Sequence, residues 1–282
     1  MMSAFWVWWQ QLPTKINPIV FEISGFSIQY YGLMYIVAFG ITYVLVRYRL
    51  KHENRYALSV EQLNNLMTFI IIGLIIGARL GYVLFYNPAY YMLHPLEIFL
   101  PFTFTNGVTF TGISGMSFHG GLLGVIISAV VFAKMNRLSF WEMADLFVPA
   151  IPLGYTFGRI GNFINGELYG RVTTSLIGMY FPQAPGTATR HPSQLYEAFF
   201  EGIFLFAVLW PMRKMPLPNG TMLGFYLIGY GTVRFFIEYF RQPDVHLGFV
   251  WLSFSMGQIL CASMIISGIF LAIYLRYRKT SQ

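Results

Sequence analysis

Long apolar runs, separated by shorter polar or glycine- and proline-rich stretches, dominate the pattern of the chain. A helix that crosses a membrane needs about 20 apolar residues, and about 17 can suffice. The third and fifth runs are short by this measure, which leaves a partly re-entrant course open for either. The pattern predicts an all-α polytopic membrane protein with about seven transmembrane helices: Tyr30–Val46, Leu66–Tyr86, Phe118–Ala133, Leu146–Phe163, Tyr196–Trp210, Thr221–Phe240 and Phe254–Leu275.

Three stretches outside these runs are predicted to lie at the membrane surface, within one integral membrane domain that covers residues 1–282. Residues 1–15 are rich in aromatic side chains and lack the basic start and cleavage site of a signal peptide, so we expect an interfacial helix there. Segments 87–117 and 164–195 are rich in glycine and proline. They predict a small, irregular or short-stranded outer-face portion.

The composition excludes a soluble globular protein. Of the 282 residues, 56% are hydrophobic and 10% are charged, whereas soluble domains carry roughly 25% charged residues. In a membrane protein, the net charge of +7 indicates cytoplasmic loops and anionic lipid rather than nucleic-acid binding. The single cysteine, Cys261, excludes an intrachain disulfide and a cysteine-based metal cluster.

Basic residues predict the orientation. They follow the first, third, fifth and seventh apolar runs, whereas residues 87–117 contain no lysine or arginine. Because cytoplasmic loops carry the excess of lysine and arginine, the N-terminus is predicted outside and the C-terminus in the cytoplasm. An odd number of spans agrees with this orientation.

The most polar stretch beside an apolar run is Gly158–Arg171, which reads GRIGNFINGELYGR. Polar groups at membrane depth usually face a cavity or a partner and mark function. Arg159, Asn162 and Asn165 recur at a spacing of three, near one helix face. Glu167 and Arg171 are four residues apart and would pair if the helix continued. The alternative is a structural glycine–asparagine packing motif with a snorkelling arginine.

Two further runs carry polar stripes at helical spacing. The sixth run has Tyr230, Arg234, Glu238 and Arg241, and the second has Arg79, Tyr82 and Tyr86. Glu238 can pair with either neighbouring arginine, which lowers the cost of burying both charges. The structural alternatives are an ion pair that joins two helices and an aromatic belt at the interface.

Two histidines invite separate interpretations. His119 lies in MSFHGG, where the third run begins, and histidine is the side chain best suited to move protons near neutral pH. The alternative is an ordinary interfacial histidine. No histidine or cysteine stands at metal-ligand spacing from it, so we predict no metal site. We expect His191, beside Pro192, to shape the loop before the fifth run. Two glutamates, Glu197 and Glu201, lie four residues apart on that run.

Buried arginines, a histidine and tyrosines together favour an anionic lipid headgroup as the ligand, because the planar fork of arginine matches phosphate. One alternative is a transporter or flippase for an anionic lipid or solute. Another is a non-catalytic scaffold, which leaves the arginines unexplained. A covalent product would separate an enzyme from both.

These motifs give the chain a specific resemblance, from about Pro18 to Gly268. It resembles the bacterial phosphatidylglycerol–prolipoprotein diacylglyceryl transferases. GRIGNFINGELYG matches the signature of that family, and other matching stretches follow the family's order: QYYGLMY, GARLGYVLFYN, MSFHGGLLG, RHPSQLYE and GYGTVRFFIEYFRQPD. One departure is Gln29, where some members carry histidine, so an imidazole there is not a required acid or base.

The resemblance implies an enzyme of the bacterial cytoplasmic (inner) membrane, with its outer-face portion in the periplasm. It implies transfer of the diacylglyceryl group of phosphatidylglycerol to the lipobox cysteine thiol of a prolipoprotein signal peptide. The product is a thioether, and glycerol phosphate leaves. The implied partners are phosphatidylglycerol, the prolipoprotein and the lipid bilayer, with no cofactor, metal or nucleic acid.

The resemblance also implies roles for particular residues. His119, Arg159 and Arg234 match catalytic positions; we expect the two arginines to bind the phosphate and His119 to assist thiol deprotonation, directly or through water. Arg159 is expected to bind substrate as well. Further matching positions are expected to bind substrate: Tyr31, Asn162, Glu167, Gly170, Tyr230, Glu238 and Arg241. To these the stripe of the second run adds Arg79, Tyr82 and Tyr86, whereas Cys261 is expected to be a bystander.

Overall fold

A computed structural model describes residues 3–280, with gaps at residues 24–25, 101, 104–107, 111–114, 243–248 and 252–253. Contacts divide the chain into two compact units. The first combines Met1–Arg49 with Ala144–Gln282, and the second is Leu50–Met143. Each unit is described by itself.

Helices dominate the described residues. In chain order they are α1 Ala4–Lys15, α2 Tyr30–His52, α3 Val60–Tyr86, α4 Pro88–Leu93, α5 Phe118–Met135, α6 Phe140–Phe147, α7 Ile151–Asn165, α8 Ser193–Glu197, α9 Leu205–Met212, α10 Thr221–Ile237 and α11 Met256–Thr280. A 3₁₀ turn covers Pro95–Ile98, and a π-helical stretch, Ala198–Phe204, joins α8 to α9.

Short antiparallel strand pairs complete the described structure. They are β1 Ile19–Ile23 with β2 Phe26–Gln29, β3 Phe102–Thr103 with β4 Thr109–Phe110, and β5 Phe249–Trp251 with β6 Phe254–Ser255.

The prediction of an all-α polytopic membrane protein is confirmed. Five of the described helices are long and apolar enough to cross a membrane: Tyr30–His52, Val60–Tyr86, Phe118–Met135, Ser193–Met212 and Met256–Tyr277. Thr221–Ile237 is a shorter apolar helix. The count of seven is not confirmed.

The predicted fourth span, Leu146–Phe163, is interrupted. Residues 148–150 form a turn between α6 and α7, and this turn contains Pro149. Proline has no amide hydrogen and clashes with the preceding helical turn, so it disrupts a continuous helix. Pro152 then stands in the first turn of α7, where proline is well tolerated.

One of the three predicted surface segments, 87–117, has more regular structure in its described part than its composition suggested. In the described part of residues 1–15, α1 is a helix as expected. The described part of segment 87–117 includes α4, the 3₁₀ turn and β3 with β4, and Pro88 opens α4 at a position that favours proline. Segment 164–195 makes isolated bridges rather than full strands, in line with the prediction.

Glycines bring α3 and α5 into backbone contact in the second unit. A Cβ added at Gly77 would lie 2.8 Å from the Cα of Gly124, and a Cβ at Gly124 would overlap the carbonyl oxygen of Gly73. Small residues four apart allow such close packing between membrane helices. The Ser117 amide also donates to the Ala78 carbonyl at 2.9 Å, which fixes the start of α5.

A buried aspartate anchors α10 in the first unit. The Asp145 carboxylate accepts from the backbone amides of Gly220 at 2.8 Å and Leu223 at 3.1 Å. These amides belong to the first turn of α10 and have no partners within the helix. Arg49 Nη1 donates to the Asp145 and Leu146 carbonyls at 2.8 and 2.6 Å. The connections hold α10, which carries Arg234 in its last turn.

Replacing Gly124 by alanine should destabilise the protein by about 1–3 kcal/mol, the usual cost of overpacking. The added methyl group would clash with backbone atoms of α3, which can shift less than a flexible side chain can. The measurement is the free energy of unfolding in detergent. Gly40→Ala is the matched control, since a Cβ at Gly40 meets nothing within 4 Å. Equal stability of both variants would show that α3 and α5 are not in tight contact.

Candidate functional site

Most of the predicted polar residues of the first unit meet in one buried group, which we call the arginine–carboxylate cluster. Its arginines come from α7, from α10 and from the chain just after α10, and its carboxylates come from α8, the π-helical stretch and the end of α10. The members are Arg159, Arg234, Arg241, Glu197, Glu201 and Glu238.

Glu197 lies at the centre of the cluster, with a side chain that is 0% exposed. Its Oε2 is 2.8 Å from Arg159 Nε, and its Oε1 is 3.1 Å from Arg234 Nη1 and 3.5 Å from Arg241 Nη1. Neither oxygen accepts an aligned hydrogen bond from a described residue. Glu197 therefore balances the arginines by charge and leaves their N–H groups directed elsewhere.

Arg234 contacts two further carboxylates. Its Nη1 donates to Glu201 Oε1 at 3.3 Å, and its Nη2 is 3.2 Å from Glu238 Oε2. The latter confirms the pairing predicted from their spacing of four residues. Ser255 Oγ donates to Glu238 Oε1 at 3.1 Å, which ties this carboxylate to the start of α11.

Arg159 is held by two neighbouring side chains. Its Nε donates to Tyr155 Oη at 2.6 Å, its Nη1 donates to Asn162 Oδ1 at 3.2 Å, and its Cζ lies 4.7 Å from the centre of the Tyr155 ring. Asn162 Nδ2 in turn donates to Glu167 Oε1 at 2.8 Å. Within the described part of the chain, Nη2 of Arg159 has no hydrogen-bond acceptor, so it is available to a ligand.

The π-helical stretch brings Glu201 into the cluster. Tyr155 Oη donates to Glu201 Oε2 at 2.5 Å, and Thr156 Oγ1 donates to the Ala198 carbonyl at 3.2 Å. Gly202 packs directly against Thr156, where any Cβ would overlap the threonine hydroxyl. π-helical turns interrupt regular helices frequently at functional sites.

The charges of the cluster are balanced, three arginines against three glutamates. Balance is expected, because an unpaired buried charge is strongly destabilising. Arg190 lies close by, where its Nη1 donates to the Gly170 carbonyl and to Gln242 Oε1 at 3.3 Å each and its guanidinium lies over the Tyr169 ring at 5.1 Å.

The loop after α7 differs from the sequence prediction. Gly166 adopts the left-handed conformation with φ of 71° and ends the helix. Glu167 and Arg171 therefore do not stand on successive turns of one helix, and the continued helix on which their predicted pairing depended is absent. Glu167 instead binds Asn162, and Arg171 Nε donates to the Arg241 carbonyl at 2.8 Å.

Gly170 has a packing role in this loop. Its amide donates to the His191 carbonyl at 2.8 Å, and an added Cβ would lie 2.8 Å from the His191 Cβ and would overlap the Phe240 carbonyl oxygen. Only glycine allows this close approach of three backbone segments.

His191 shapes the same loop, as predicted. Its Nδ1 is 3.0 Å from Tyr196 Oη, and its ring packs against Tyr196 and Phe240. Partial burial lowers the pKa of the His191 imidazole from its ordinary value of 6.5. The neutral imidazole is therefore favoured at pH 7, so His191 adds no charge to the cluster.

Two predicted tyrosines adjoin the cluster. Tyr31, in the first turn of α2, lies 3.1 Å from Tyr35 through their hydroxyl groups and interacts with the Asn162 side chain. The ring of Tyr230 packs edge-on against that of Tyr155, with centroids 6.0 Å apart. Tyr31 thus adjoins Asn162, and Tyr230 adjoins Tyr155, the two residues that hold Arg159.

In the second unit, Arg79 binds the main chain. Its Nε donates to the Ile98 carbonyl at 2.7 Å, its Nη2 to the Glu97 carbonyl at 2.5 Å and its Nη1 to the Gly115 carbonyl at 3.3 Å. These bonds engage all three guanidinium nitrogens. The geometry therefore gives Arg79 a structural role, and the substrate contact expected from sequence stays a prediction.

The aromatic neighbours of Arg79 also pack on protein. Tyr82 and Tyr86 stack with centroids 5.5 Å apart. Gly115, with φ of 78°, lies against the Tyr82 ring so closely that an added Cβ would overlap it. Tyr82 thus supports the chain before α5, whereas Tyr86 is largely exposed.

His119 stands in the first turn of α5, which Ser117 caps by accepting from the Gly120 amide at 3.3 Å. Its side chain is exposed, its ring contacts Phe118, and no described residue forms a hydrogen bond to its imidazole. The imidazole is thus available to a substrate. No group of three potential metal ligands occurs among the described residues.

Sequence reasoning missed the central role of Glu197 and the contribution of Tyr155. The spacing of Glu197 and Glu201 in an apolar run was visible, but it did not say which arginines they meet. Tyr155 stands four residues before Arg159. That spacing places two residues on one helix face and could have drawn attention to it.

Comparisons with known proteins agree over nearly the whole chain. The family model described as "Prolipoprotein diacylglyceryl transferase" matches residues 18–274. A protein of Chlorobaculum tepidum is 54% identical over 98% of this chain and 96% of its own length. Proteins of Treponema denticola (41% identical, 96% of each chain) and Bordetella avium (42% identical, 95% of this chain and 98% of its own) are also similar. All three are named phosphatidylglycerol–prolipoprotein diacylglyceryl transferase.

Replacing Glu197 by glutamine should destabilise the protein by about 3–5 kcal/mol, the cost of breaking a buried ion pair from one side. The three arginines would then repel one another without a central anion. Thermal or denaturant unfolding in detergent measures the change. Glu53→Gln is the control, because its pair with Arg55 is partly exposed at 3.9 Å and should contribute less than about 1 kcal/mol. A Glu197 variant as stable as the control would contradict the central role.

Proposed function

The chain belongs to the prolipoprotein diacylglyceryl transferase family, and we propose on this basis that it transfers the diacylglyceryl group of phosphatidylglycerol to the lipobox cysteine of a prolipoprotein. This is the first step of lipoprotein maturation. A carbon–sulfur bond forms at the glycerol carbon that bears the phosphate. The carbon–oxygen bond to the phosphate breaks, glycerol phosphate leaves, and the thiol proton is released.

The gathering of three partly buried arginines around Glu197 is the observation that carries the proposal. The departing phosphate gains negative charge in the transition state, and fixed donors that need not reorganise stabilise such charge best. Arg159 and Arg234 are assigned to the phosphate. Their orientation is set by Tyr155, Asn162, Glu197 and the other carboxylates before any ligand binds.

The free donor of Arg159 supports the same assignment. Glu197 neutralises the guanidinium by proximity but accepts no aligned N–H, and Nη2 remains available among the described residues. An arginine that is balanced in charge yet retains donors can bind a phosphate oxygen without a large desolvation cost.

The remaining residues divide by what they contact. Asn162 and Glu167 orient Arg159, and Glu238 orients Arg234. Tyr31, Tyr230 and Arg241 are assigned to the border of the headgroup site, where they contact members of the cluster or their neighbours. Gly170 contributes through backbone packing. In the second unit, Arg79 is assigned to holding the main chain at Glu97, Ile98 and Gly115, and Tyr82 to packing against Gly115. The exposed Tyr86 is assigned to lipid contact.

His119 is assigned to the thiol. The attacking species must be a thiolate, because the thiol is a poor nucleophile. An exposed imidazole without a described hydrogen-bond partner can take the proton, directly or through water.

The chain is a multi-pass membrane protein, and we place it in the bacterial inner membrane with its N-terminus in the periplasm and its C-terminus in the cytoplasm. The lysines and arginines in the last turns of α2, α5 and α11, or just after α2, α5 and α9, support this orientation. Residues 1–15 are assigned to the membrane interface, since Phe5 and Trp8 of α1 are exposed.

Transfer in detergent tests the proposal. Purified protein is mixed with phosphatidylglycerol labelled in its acyl chains and with a lipobox peptide, without ATP or an ion gradient. A labelled thioether product supports the transferase. Movement of lipid without a covalent product would instead favour a transporter, the main alternative, and would overturn the proposal.

Arg159→Lys should lower kcat by about 100-fold or more, the usual loss when one preorganised donor is removed. Lysine keeps the charge beside Glu197, which limits unfolding, but it lacks the fork that binds phosphate. Arg49→Lys is the matched control, because Arg49 is also buried but donates to the Asp145 and Leu146 carbonyls. A near-normal rate for Arg159→Lys in the same assay would refute the phosphate assignment.

His119→Gln should lower the transfer rate most near neutral pH and approach the wild-type rate above about pH 9, where cysteine thiols with a pKa of about 8.5 ionise unaided. The measurement is a pH–rate profile with saturating peptide. His52→Gln, which removes an exposed histidine at the end of α2, serves as control. An equal loss at every pH would replace the base role by a positioning role.

A further inference from the structure

Tyr155 links the two arginines that are assigned to the phosphate. Its hydroxyl donates to Glu201 Oε2 at 2.5 Å and accepts from Arg159 Nε at 2.6 Å. Glu201 Oε1 accepts from Arg234 Nη1 at 3.3 Å. Arg159, Tyr155, Glu201 and Arg234 thus form one continuous chain of hydrogen bonds across three helical elements.

The direction of these bonds is fixed by chemistry. Arginine Nε carries a single hydrogen and can only donate, and an ionised carboxylate can only accept. The Tyr155 hydroxyl, which can do both, must therefore present its hydrogen to Glu201 and a lone pair to Arg159. Bonds in which one partner is ionised are shorter and stronger than neutral ones, in keeping with both distances.

Two acceptors, the Tyr155 hydroxyl and Glu197 Oε2, lie within reach of Arg159 Nε, and the hydrogen is donated to Tyr155. The same nitrogen lies 2.8 Å from Glu197 Oε2, yet its hydrogen points to Tyr155, and Glu197 receives no aligned bond. The Tyr155 ring lies against the guanidinium, with Cζ 4.7 Å from its centre. Because Nε is hydrogen-bonded and the Tyr155 ring covers one face of the guanidinium, the plane of the Arg159 guanidinium is fixed. Its Nη2 then remains available to a ligand among the described residues.

We propose that Tyr155 is a positioning residue for the transfer reaction, which fixes the guanidinium of Arg159 in the orientation that receives the phosphate. The inference rests on the proposed function and deepens it. Without the Tyr155 hydroxyl, Arg159 Nε would donate its hydrogen to Glu197, and the whole guanidinium would rotate. Stabilisation of the developing phosphate charge then falls more than binding of the intact lipid, because the charge is greater in the transition state.

Tyr155→Phe is the direct test, since it keeps the ring and removes only the hydroxyl. We expect kcat to fall by about 10- to 100-fold, as for the loss of one hydrogen bond to a charged group, with a smaller change in KM for phosphatidylglycerol. Tyr226→Phe is the matched control, because Tyr226 is a neighbouring tyrosine that stacks on Tyr230 and contacts neither arginine in a described bond. Its kcat should equal that of the wild type.

A double-variant experiment separates positioning from a general structural effect. In an Arg159→Lys background, which has no fork to orient, Tyr155→Phe should change kcat little further. If instead Tyr155→Phe lowers kcat by the same factor in both backgrounds, the hydroxyl acts independently of Arg159 and the inference fails. An unchanged kcat in the single Tyr155→Phe variant also overturns it.

A binding measurement distinguishes failure of the inference from failure of the proposed function. If the wild type yields no thioether product, the proposed function falls. The affinity of each variant for phosphatidylglycerol in detergent micelles, measured by thermal shift, then decides the role of Tyr155. Weaker binding in Tyr155→Phe than in Tyr226→Phe supports the orientation of Arg159 by the hydroxyl, and equal binding refutes it.

Discussion

The attraction between one buried carboxylate and three arginines is the interaction on which the polar interior of the first unit depends. Glu197 meets Arg159, Arg234 and Arg241 at 2.8–3.5 Å, and each arginine comes from a different part of the fold. Burial of any of these ions alone among apolar helices would be strongly destabilising, because desolvation costs several kcal/mol for each. The ion pairs therefore determine how α7, α8 and α10 face one another, and packing determines whether the ion pairs form.

Features of the backbone, together with the Asp145 side chain, position the side chains of the cluster. Gly166 ends α7 so that Glu167 leaves the helix and reaches Asn162. The π-helical stretch presents Glu201 to Tyr155 and Arg234, and Asp145 holds the opposite end of α10. The site is consequently supported by groups distributed over the whole first unit, which is the condition for donors that need not move during reaction.

The cluster resolves a conflict between stability and chemistry. Arginines that bind phosphate must keep free N–H groups, but buried arginines require a counter-charge. Glu197 supplies that charge without accepting an aligned hydrogen bond, and Tyr155 and Asn162 take donors of Arg159 that would otherwise turn towards it. The neutral acceptors orient the guanidinium, and the carboxylate balances its charge.

The sequence by itself determined the membrane class, the polar helix faces, the two possible arginine partners of Glu238 and the family to which the chain belongs. These follow from composition, from motifs and from helical periodicity, which fixes neighbours within one helix. Only the tertiary structure decided that Glu197 is the centre of the cluster, because periodicity does not say which helix faces meet. It also decided that Arg79 binds main-chain carbonyls, which every residue carries and no side-chain pattern reveals.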